Sequence, residues 1–274
     1  MDTQKHRVVL VTGGSSGIGR AISNHLSAAG LVVFGTSRSA QNGDPLDNFR
    51  LVRLDVTDVD SISSALSFIQ KTEGSLDILV NNAGLGMVGP LENTSQEEAR
   101  SIFETNVFGV HNVCRAAIPI LRKSANSYII NITSIGGIVA LPFRGIYCAS
   151  KFAVEGMTEA MSMELRSSGI HVCLIEPGDF KTNINYNRKI AKDINTEIYG
   201  EKFDPILARI NNEVAHALDP ILIGKKVLKI INTSNPKLRY KVATFKQKLS
   251  ITLKRLLPER IFERLMMKFY DLNE

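Results

Sequence analysis

Cysteine is scarce in this sequence of 274 residues. The three cysteines, Cys114, Cys148 and Cys173, have neither the spacing of metal ligands nor the even number of a disulfide framework. They indicate a reducing, cytosolic protein. No apolar run reaches the roughly 18 residues that a membrane-spanning helix needs. The polar start of the chain leaves no room for a signal peptide before the first apolar segment. We therefore expect a cytoplasmic protein without a spanning helix.

Most of the chain carries no net charge. The segment Lys237–Glu274 holds ten Lys and Arg against four Asp and Glu, whereas the rest of the sequence holds equal numbers of each sign. The net charge of +6 thus belongs to the C-terminal part alone. A general affinity for nucleic acid is not indicated by charge of this origin, and we expect no nucleic-acid partner.

Short β-branched runs alternate with longer helical patterns along the chain. Such near-continuous apolar runs, separated by helices, predict a parallel sheet covered on both faces, which is a doubly wound α/β architecture. Helical patterns are predicted over residues 20–29, 61–71 and 96–123. The predicted strands are Arg7–Val11, Leu31–Gly35, Leu51–Leu54, Ile78–Val80, Tyr128–Ile132 and His171–Ile175.

A glycine-rich stretch, TGGSSGIG, runs from Thr12 to Gly19 between the first predicted strand and the first helical pattern. Glycines at such a turn permit a tight bend and let backbone N–H groups reach a pyrophosphate at the helix N-terminus. Glycine-rich turns without a ligand are common. The position at the first strand, with a helix following, favours dinucleotide binding.

The stretch YCASK places Tyr147 four residues before Lys151. Four residues are about one helical turn, so both side chains lie on the same helix face. A neighbouring ammonium favours the phenolate, which predicts a lowered pKa for Tyr147 and an acid/base suited to neutral pH. Taken alone, the pair is more typical of an ordinary helix face, because this spacing often arises by chance.

Several ordered motifs decide between these interpretations. They are Thr12-Gly13 with Gly17 and Gly19, Leu54-Asp55-Val56, Asn81-Asn82-Ala83-Gly84, Asn106, Ser134, Tyr147 with Lys151, and Pro177-Gly178 with Thr182. In these motifs the sequence from about Val8 to Thr182 resembles the short-chain dehydrogenase/reductase family, in its single-domain branch. The resemblance implies a Rossmann-type domain over residues 1–236 with a substrate lid at about 183–217. We expect residues 237–274 to form a basic amphipathic helical extension packed on or beside that domain.

Four residues take catalytic roles by this resemblance. Tyr147 is the acid/base, Lys151 lowers its pKa and binds the cofactor ribose, Ser134 holds the substrate oxygen, and Asn106 organises a water-mediated proton path to the lysine. Local reading leaves alternatives for two of them. Ser134 also suits a turn or helix cap, and Asn106, within a predicted helix, also suits a solvated surface.

The cofactor site implied by the resemblance draws on most of the motifs. Asp55 would touch the adenine, although it could equally be a local cap, and the segment from Pro177 to Thr182 would orient the nicotinamide. Cys148 is interpreted as a small buried thiol. None of the five histidines lies at a family catalytic position, and we expect no metal. The expected cofactor-binding residues are Thr12, Gly13, Ser15, Ser16, Gly17, Ile18, Gly19, Arg38, Asp55, Val56, Asn82, Ala83, Gly84, Tyr147, Lys151, Pro177, Gly178, Phe180 and Thr182.

The end of the second predicted strand, Gly35-Thr36-Ser37-Arg38, bears on the choice of dinucleotide. An acidic residue there would bind the ribose 2′-hydroxyl and repel a 2′-phosphate. None is present, and Arg38 supplies a cation suited to a phosphate. NADP(H) is therefore favoured over NAD(H). Many NADP-preferring relatives also carry a basic residue inside the glycine turn, where this chain has Ser15 and Ser16.

The substrate is expected to be a small hydrophobic alcohol or ketone, of a steroid-, retinoid- or lipid-like kind. Ser134, Leu141, Phe143 and Tyr147 are the predicted substrate residues. The loop around Leu141 and the segment 176–182 most resemble 17β-hydroxysteroid and retinol dehydrogenases. Further apolar candidates for the wall also suit plain packing of the lid: Leu85, Met87, Val88 and the segment Asn183–Ala217. The predicted function is an NADP(H)-dependent oxidoreductase; the alternative is a non-catalytic dinucleotide-binding or membrane-associated regulatory protein on the same fold.

Two helical patterns with apolar stripes occupy the basic C-terminal part. Basic amphipathic helices are typical of membrane-surface or partner-binding elements, but such helices can also cap a domain. The sequence predicts either a cap or a peripheral membrane contact, and the family resemblance adds a homo-oligomer. The stripes are Phe245, Leu249, Leu253, Leu256 and Leu257, and, after Pro258, Ile261, Phe262, Leu265, Met266 and Phe269.

Overall fold

Eight strands form one central sheet in the computed structural model, which describes residues 6–182, 188–215 and 217–272. The strands lie in the order β10-β8-β7-β5-β1-β2-β4-β3 and are parallel except for β3, which is antiparallel to β4. Their bounds are β1 Val8–Val11, β2 Val32–Ser37, β3 Pro45–Leu46, β4 Phe49–Arg53, β5 Ile78–Asn81, β7 Ser127–Ile132, β8 Ile170–Pro177 and β10 Arg239–Val242. The short strands β6 (Met87–Val88) and β9 (Lys189–Ile190) form a separate parallel pair.

Helices cover both faces of the sheet, which confirms the doubly wound prediction. Leu10 packs in a core cluster with Leu66 of α2, Val113 of α4 and Val154 of α5. Its neighbour Val9 points to the opposite face, in a cluster with α1 and α7. The helices are α1 Gly17–Ala28, α2 Val59–Glu73, α3 Gln96–Phe103, α4 Gly109–Leu121, α5 Gly145–Glu164, α6 Thr196–Ala215, α7 Ile221–Ile231, α8 Phe245–Leu256 and α9 Glu259–Phe269.

Burial on both faces of the sheet explains why the first predicted strand is apolar throughout. All four residues of β1 are buried, and alternate side chains enter the two clusters, so the run is apolar throughout rather than alternating. Burying one such aliphatic side chain stabilises the fold by about 1.5–3 kcal/mol. Leu10→Ala, which leaves a cavity as well, would cost about 2–5 kcal/mol.

The predicted helix over residues 96–123 is interrupted. A capping box of Ser95 and Glu98 starts α3, and residues Glu104–Phe108 then form a π-helical turn before α4. The wider turn inserts one extra residue into the helical hydrogen-bonding pattern, and such turns often occur at functional sites. Asn106 lies in it and is 1% exposed. The solvated-surface alternative for Asn106 is therefore wrong.

The C-terminal part begins inside the sheet domain. Strand β10 pairs with β8, so the expected extension starts at α8 rather than at residue 237. Ile251 of α8 and Phe262 of α9 are buried against Val139, in the loop that follows β7. Gln247 of α8 donates a hydrogen bond of 2.6 Å from Nε2 to Asp179 Oδ2. A Cβ on Gly178 would lie 2.1 Å from Gln247 Oε1 and 2.9 Å from the Cβ of Ala243, so a side chain at residue 178 would require Gln247 to move.

The described helices include none that is long and apolar enough to cross a membrane.

Candidate active site

The glycine turn bends tightly at the carboxyl end of β1, which lies in the middle of the sheet. Gly13 and Gly17 have φ angles of 63° and 52°, in the left-handed region that favours glycine. A Cβ on Gly14 would lie 2.5 Å from the Cα of Gly35, and one on Gly19 would lie 2.2 Å from the carbonyl oxygen of Gly13. The backbone of the turn is thus left bare at the N-terminus of α1.

The ends of β1 and β5 are joined beside this turn. Thr12 Oγ1 accepts hydrogen bonds from the backbone N–H groups of Asn82 at 2.9 Å and Ala83 at 3.0 Å. Asn82 Nδ2 donates in return to the carbonyl of Thr12 at 2.9 Å. A Cβ on Gly17 would lie 3.4 Å from Cβ of Thr182, so the turn also meets the segment after β8. These bare backbone surfaces fit the pyrophosphate of a dinucleotide.

Arg38 directly follows β2, the strand next to β1, and is exposed. Asp55 Oδ1 accepts from the backbone N–H of Thr57 at 2.9 Å and from its hydroxyl at 2.8 Å, which forms a local turn. The N-cap of α2 is Asp58 and not Asp55. Val56 is buried, and a Cβ on Gly109 would lie 2.6 Å from its Cγ2. Val56 therefore packs on α4.

Asn106 is fixed by hydrogen bonds to two segments of the site. Its Oδ1 accepts from the backbone N–H of Leu85 at 2.8 Å, and its Nδ2 donates to the Leu85 carbonyl and to Ser150 Oγ, both at 3.0 Å. Ser150 Oγ then donates to the backbone carbonyl of Tyr147 at 2.7 Å. A Cβ on Gly84 would lie 3.2 Å from Asn106 Oδ1 and 3.5 Å from Lys151 Nζ. The strand end, the π turn and α5 therefore converge on one point.

Tyr147 is partly buried, and its phenol is hydrogen-bonded to Ser134. Burial raises the pKa of Tyr147, while the Ser134 hydrogen bond and the positive charge of Arg144 lower it in part. The expected lowering of this pKa by Lys151 is wrong for the protein alone. Lys151 Nζ lies 5.9 Å from the centroid of the tyrosine ring and donates instead to the carbonyl of Ile132 at 3.3 Å.

Lys151 is itself a perturbed group. Its side chain is buried, which lowers its pKa to about 8, and the carboxylate of Glu155 raises that pKa in part. Ser134 Oγ accepts from the backbone N–H of Gly136 at 3.0 Å. Ser134 is thus both a turn cap and a partner of the phenol, and the two roles proposed for it are compatible.

A family profile described as "short chain dehydrogenase" matches residues 7–193. The chain belongs to this family. Membership makes the protein an oxidoreductase of the CH–OH group that uses an NAD(P) dinucleotide, and it confirms the resemblance drawn from the motifs.

Relatives over nearly the full length support the same assignment. The chain is 38% identical over 268 residues to a 3-ketodihydrosphingosine reductase of Bacteroides thetaiotaomicron, which covers 97% of this chain and 99% of the relative. It is 32% identical to an NADPH-dependent 3-dehydrocapnine reductase of Ornithobacterium rhinotracheale, over 96% of both chains. It is 30% identical to retinol dehydrogenase 8 of Bos taurus, over 87% of this chain and 82% of the relative. The predicted likeness to retinol dehydrogenases is thus confirmed.

Charged residues beside these family motifs have roles that were not predicted from the sequence. Glu155, one turn after Lys151, accepts a hydrogen bond from Thr133 Oγ1 at 2.6 Å and pairs with Arg239 Nε at 3.1 Å. Arg239 Nε also lies 3.6 Å from Oε1 of Glu176, which is fully buried. Burial first, then the charge of Glu155, raises the pKa of Glu176 to about 7. The spacing of four residues from Lys151 could have predicted that Glu155 lies on the same helix face. No pattern in the sequence indicates the role of Arg239.

The expected substrate wall packs together with the lid and the tail. Phe143 packs edge-on against Tyr199 and Phe203 of α6, with ring centroids 6.0 and 5.5 Å apart. Leu141 and Tyr270 belong to the same apolar cluster. Met87 and Val88 are buried in β6, and Met87 packs in one apolar cluster with Tyr147. Residues 183–187 and 216 of the expected lid lie outside the described residues.

Two further expectations concern cysteine and metal. Cys148 is buried, which raises the pKa of its thiol, as expected for an unreactive cysteine. Within the described ranges, no three His, Cys, Asp or Glu side chains come together as ligands for a metal ion.

Proposed function

We propose that the protein interconverts a hydroxyl and a carbonyl group on a lipid-like substrate, with NADP(H) as the cofactor. The observation that carries the proposal is the convergence of Tyr147, Ser134, Lys151 and Asn106 beside the bare backbone of the glycine turn. A protein that only binds a dinucleotide has no need of this proton-handling set.

In this proposal the nicotinamide supplies or accepts the hydride. Ser134 holds the substrate oxygen beside the phenol of Tyr147, which donates a proton to it during reduction and accepts one during oxidation. Lys151, held in its buried position by the Ile132 carbonyl, stabilises the phenolate that forms and binds the ribose. Asn106 and the Leu85 backbone complete the polar lining through which the proton is replaced.

NADP(H) rather than NAD(H) is proposed on two grounds. The end of β2 carries no acidic side chain to repel a 2′-phosphate, and Arg38 is exposed there as a partner for one. A relative that matches over 96% of both chains is described as NADPH-dependent.

A lipid-like substrate is supported by the apolar side chains of Leu141 and Phe143 next to the site. Two relatives are reductases named for 3-ketodihydrosphingosine and 3-dehydrocapnine, and a third is named for retinol. The direct test is a panel of long-chain ketones and alcohols, followed by the change in absorbance of the reduced nicotinamide. Turnover of no member, with the cofactor bound, would contradict the proposal.

A membrane contact is proposed for the outer side of the C-terminal helices. Each of the two apolar stripes is divided: some of its side chains are buried on the domain and the others are exposed. Phe245 and Leu256 of α8 are 79% and 75% exposed, and Ile261 and Leu265 of α9 are also exposed. Exposed cations flank them, and cations beside apolar side chains match an anionic bilayer rather than a neutral one. These cations are Lys246, Lys248, Arg255, Arg264 and Lys268.

A homodimer through α4 and α5 is proposed as well. Phe108, at the end of the π turn before α4, and Phe152 and Met163 of α5 are large apolar residues that are exposed. Such side chains on adjacent helices are typical of an interface between copies. Light scattering at micromolar concentration would measure the mass, and a monomer would contradict the assignment.

A further inference from the structure

Two arginines flank Tyr147 on the substrate side of the site. Arg144 caps the start of α5, three residues before the tyrosine, and its Nη2 donates to the hydroxyl of Tyr270 at 3.5 Å. Arg188 lies over the loop after β5, where a Cβ on Gly86 would come within 3.5 Å of its Cγ. Its Nη1 donates to Oδ1 of Asn211 on α6 at 3.1 Å.

Both arginines adjoin Tyr147 in the fold. Arg144 is the N-cap residue of α5, three residues before Tyr147. Tyr147 packs in one apolar cluster with Leu85, next to the Gly86 that Arg188 covers. Burial lowers the pKa of Arg188, and the charge of Arg144 lowers it further. A group bound at Tyr147 therefore lies beside both segments that carry the two cations.

Neither arginine is neutralised by the part of the chain that the structure describes. Arg144 and Arg188 form no ion pair with its carboxylates, and the buried Nε of Arg144 has no hydrogen-bond partner there. Asp179, the acidic residue whose charge reaches both Tyr147 and Arg188, is occupied by Gln247. A buried guanidinium N–H without a partner is costly, so Arg144 Nε calls for an acceptor that the described residues do not supply.

We propose that Arg144 and Arg188 bind an acidic group that the substrate carries close to its carbonyl or hydroxyl carbon. A sulfonate, phosphate or carboxylate presents the several oxygens that planar guanidinium forks recognise. The apolar cluster of Leu141, Phe143 and Phe203 next to them suits an alkyl chain. The substrate class is thus an amphipathic lipid with an anionic head, rather than a neutral steroid or retinoid. This inference rests on the proposed function.

The test compares three probes with one alkyl chain. They are a long-chain methyl ketone, the same ketone with a sulfonate on its methyl carbon, and the same ketone with an amine there. We expect kcat/KM for the sulfonate to exceed that for the neutral ketone by about tenfold or more, and that for the amine to be lowest.

The variants Arg144→Gln and Arg188→Gln should each reduce the advantage of the sulfonate by about tenfold, mainly through KM, because each removes one charge-assisted partner. Arg144→Lys and Arg188→Lys should keep part of it. Arg100→Gln, the same change on the exposed surface of α3, is the control and should alter none of the three probes. Melting temperatures would show that each variant is folded.

Two outcomes would overturn the inference while leaving the proposed function in place. One is equal kcat/KM of the wild type for the sulfonate and the neutral ketone. The other is an equal loss for both ketones in Arg144→Gln, which would mean that the arginine acts on Tyr147 and not on the substrate.

A binding measurement keeps the two proposals separate. Titration of the protein–NADPH complex with decanesulfonate, below its micelle concentration, and with decanol requires no turnover. Tighter binding of the sulfonate, lost in the Gln variants, supports the anionic head group whatever the activity. Equal binding of the two compounds overturns it.

Discussion

The ammonium of Lys151 lies one helical turn from the carboxylate of Glu155, and both side chains are buried. The carboxylate is fixed by Thr133 and Arg239, so it cannot swing away from the lysine without losing both partners. Burial favours the neutral amine, and the carboxylate opposes it. Glu155 is therefore expected to keep Lys151 charged near neutral pH.

Replacing Glu155 by Gln should change the pH dependence of activity. The folded-state pKa of Lys151, already lowered by burial to about 8, should fall further when the carboxylate that raises it is lost. The basic limb of the kcat/KM profile should move to lower pH, and activity at pH 8 relative to pH 7 should fall about three- to tenfold. The measurement is a pH profile with saturating NADPH. Glu159→Gln, which removes the exposed partner of Arg239, is the control; the same shift there would contradict the argument.

Tyr147→Phe should reduce kcat by at least about a hundredfold with the dissociation constant for NADPH nearly unchanged, because only the titrating hydroxyl is removed. Lys151→Ala should lose both turnover and cofactor affinity. Cofactor fluorescence and steady-state rates separate the two effects. Near-wild-type turnover by the phenylalanine variant would show that another group carries the proton.

Arg38→Asp should shift the ratio of kcat/KM values for NADPH and NADH by about tenfold or more towards NADH. The change removes the partner of the 2′-phosphate and adds an acceptor for the ribose hydroxyl. Arg38→Lys, which keeps the charge, should retain most of the preference. A wild-type enzyme that already prefers NADH would contradict the assignment of NADP(H) as the cofactor.

Glu176 should make stability depend on pH between about 4.5 and 7. Its pKa is raised from 4.5 to about 7 in the folded protein, so the unfolded chain loses this proton first as pH rises. The free energy of unfolding should therefore fall across that interval and level off above it. Glu176→Gln should raise the melting temperature at pH 8 and change it least at pH 4.5. A variant less stable than wild type at pH 8 would show that the carboxylate is needed as the partner of Arg239.

Ile261→Glu combined with Leu265→Glu should weaken binding to anionic vesicles several-fold, because charge replaces apolar side chains on the exposed face of α9. Co-sedimentation with phosphatidylserine vesicles at low and high salt measures this. Val59→Glu, at a similarly exposed apolar site on α2, should have no effect. Truncation before Pro258 is a poorer test, since it removes the buried Phe262 and Tyr270. If the intact protein does not bind anionic vesicles at low salt, the membrane contact is contradicted and the C-terminal helices only cap the domain.

Strands buried on both faces were readable from sequence because their runs are continuously apolar, as in Val8–Val11. Strand β10 was not, because Arg239, Tyr240 and Lys241 are polar or amphipathic and lie at the edge of the sheet, half-exposed. The π turn at Asn106 was also unpredictable. It depends on hydrogen bonds to Leu85 and Ser150, which are 21 and 44 residues away.

The candidate site divides in the same way. Tyr147, Lys151 and the glycine turn are local patterns, and a resemblance can find them. The direction of the Tyr147 pKa was mispredicted because spacing on a helix gives the face of a side chain but neither its burial nor its distance. Arg144, Arg188 and Arg239 owe their roles to segments that only folding brings near them.

The contact of Gln247 with Asp179, above Gly178, couples the loop after β8 to the C-terminal helices. A Cβ at residue 178 would lie 2.1 Å from Gln247 Oε1 and 2.9 Å from the Cβ of Ala243, so a side chain there requires both residues to move. Residues 178 and 247 are therefore expected to vary together among homologues. A hybrid that receives only the C-terminal helices of a homologue should melt at a lower temperature than one that receives the helices together with the loop.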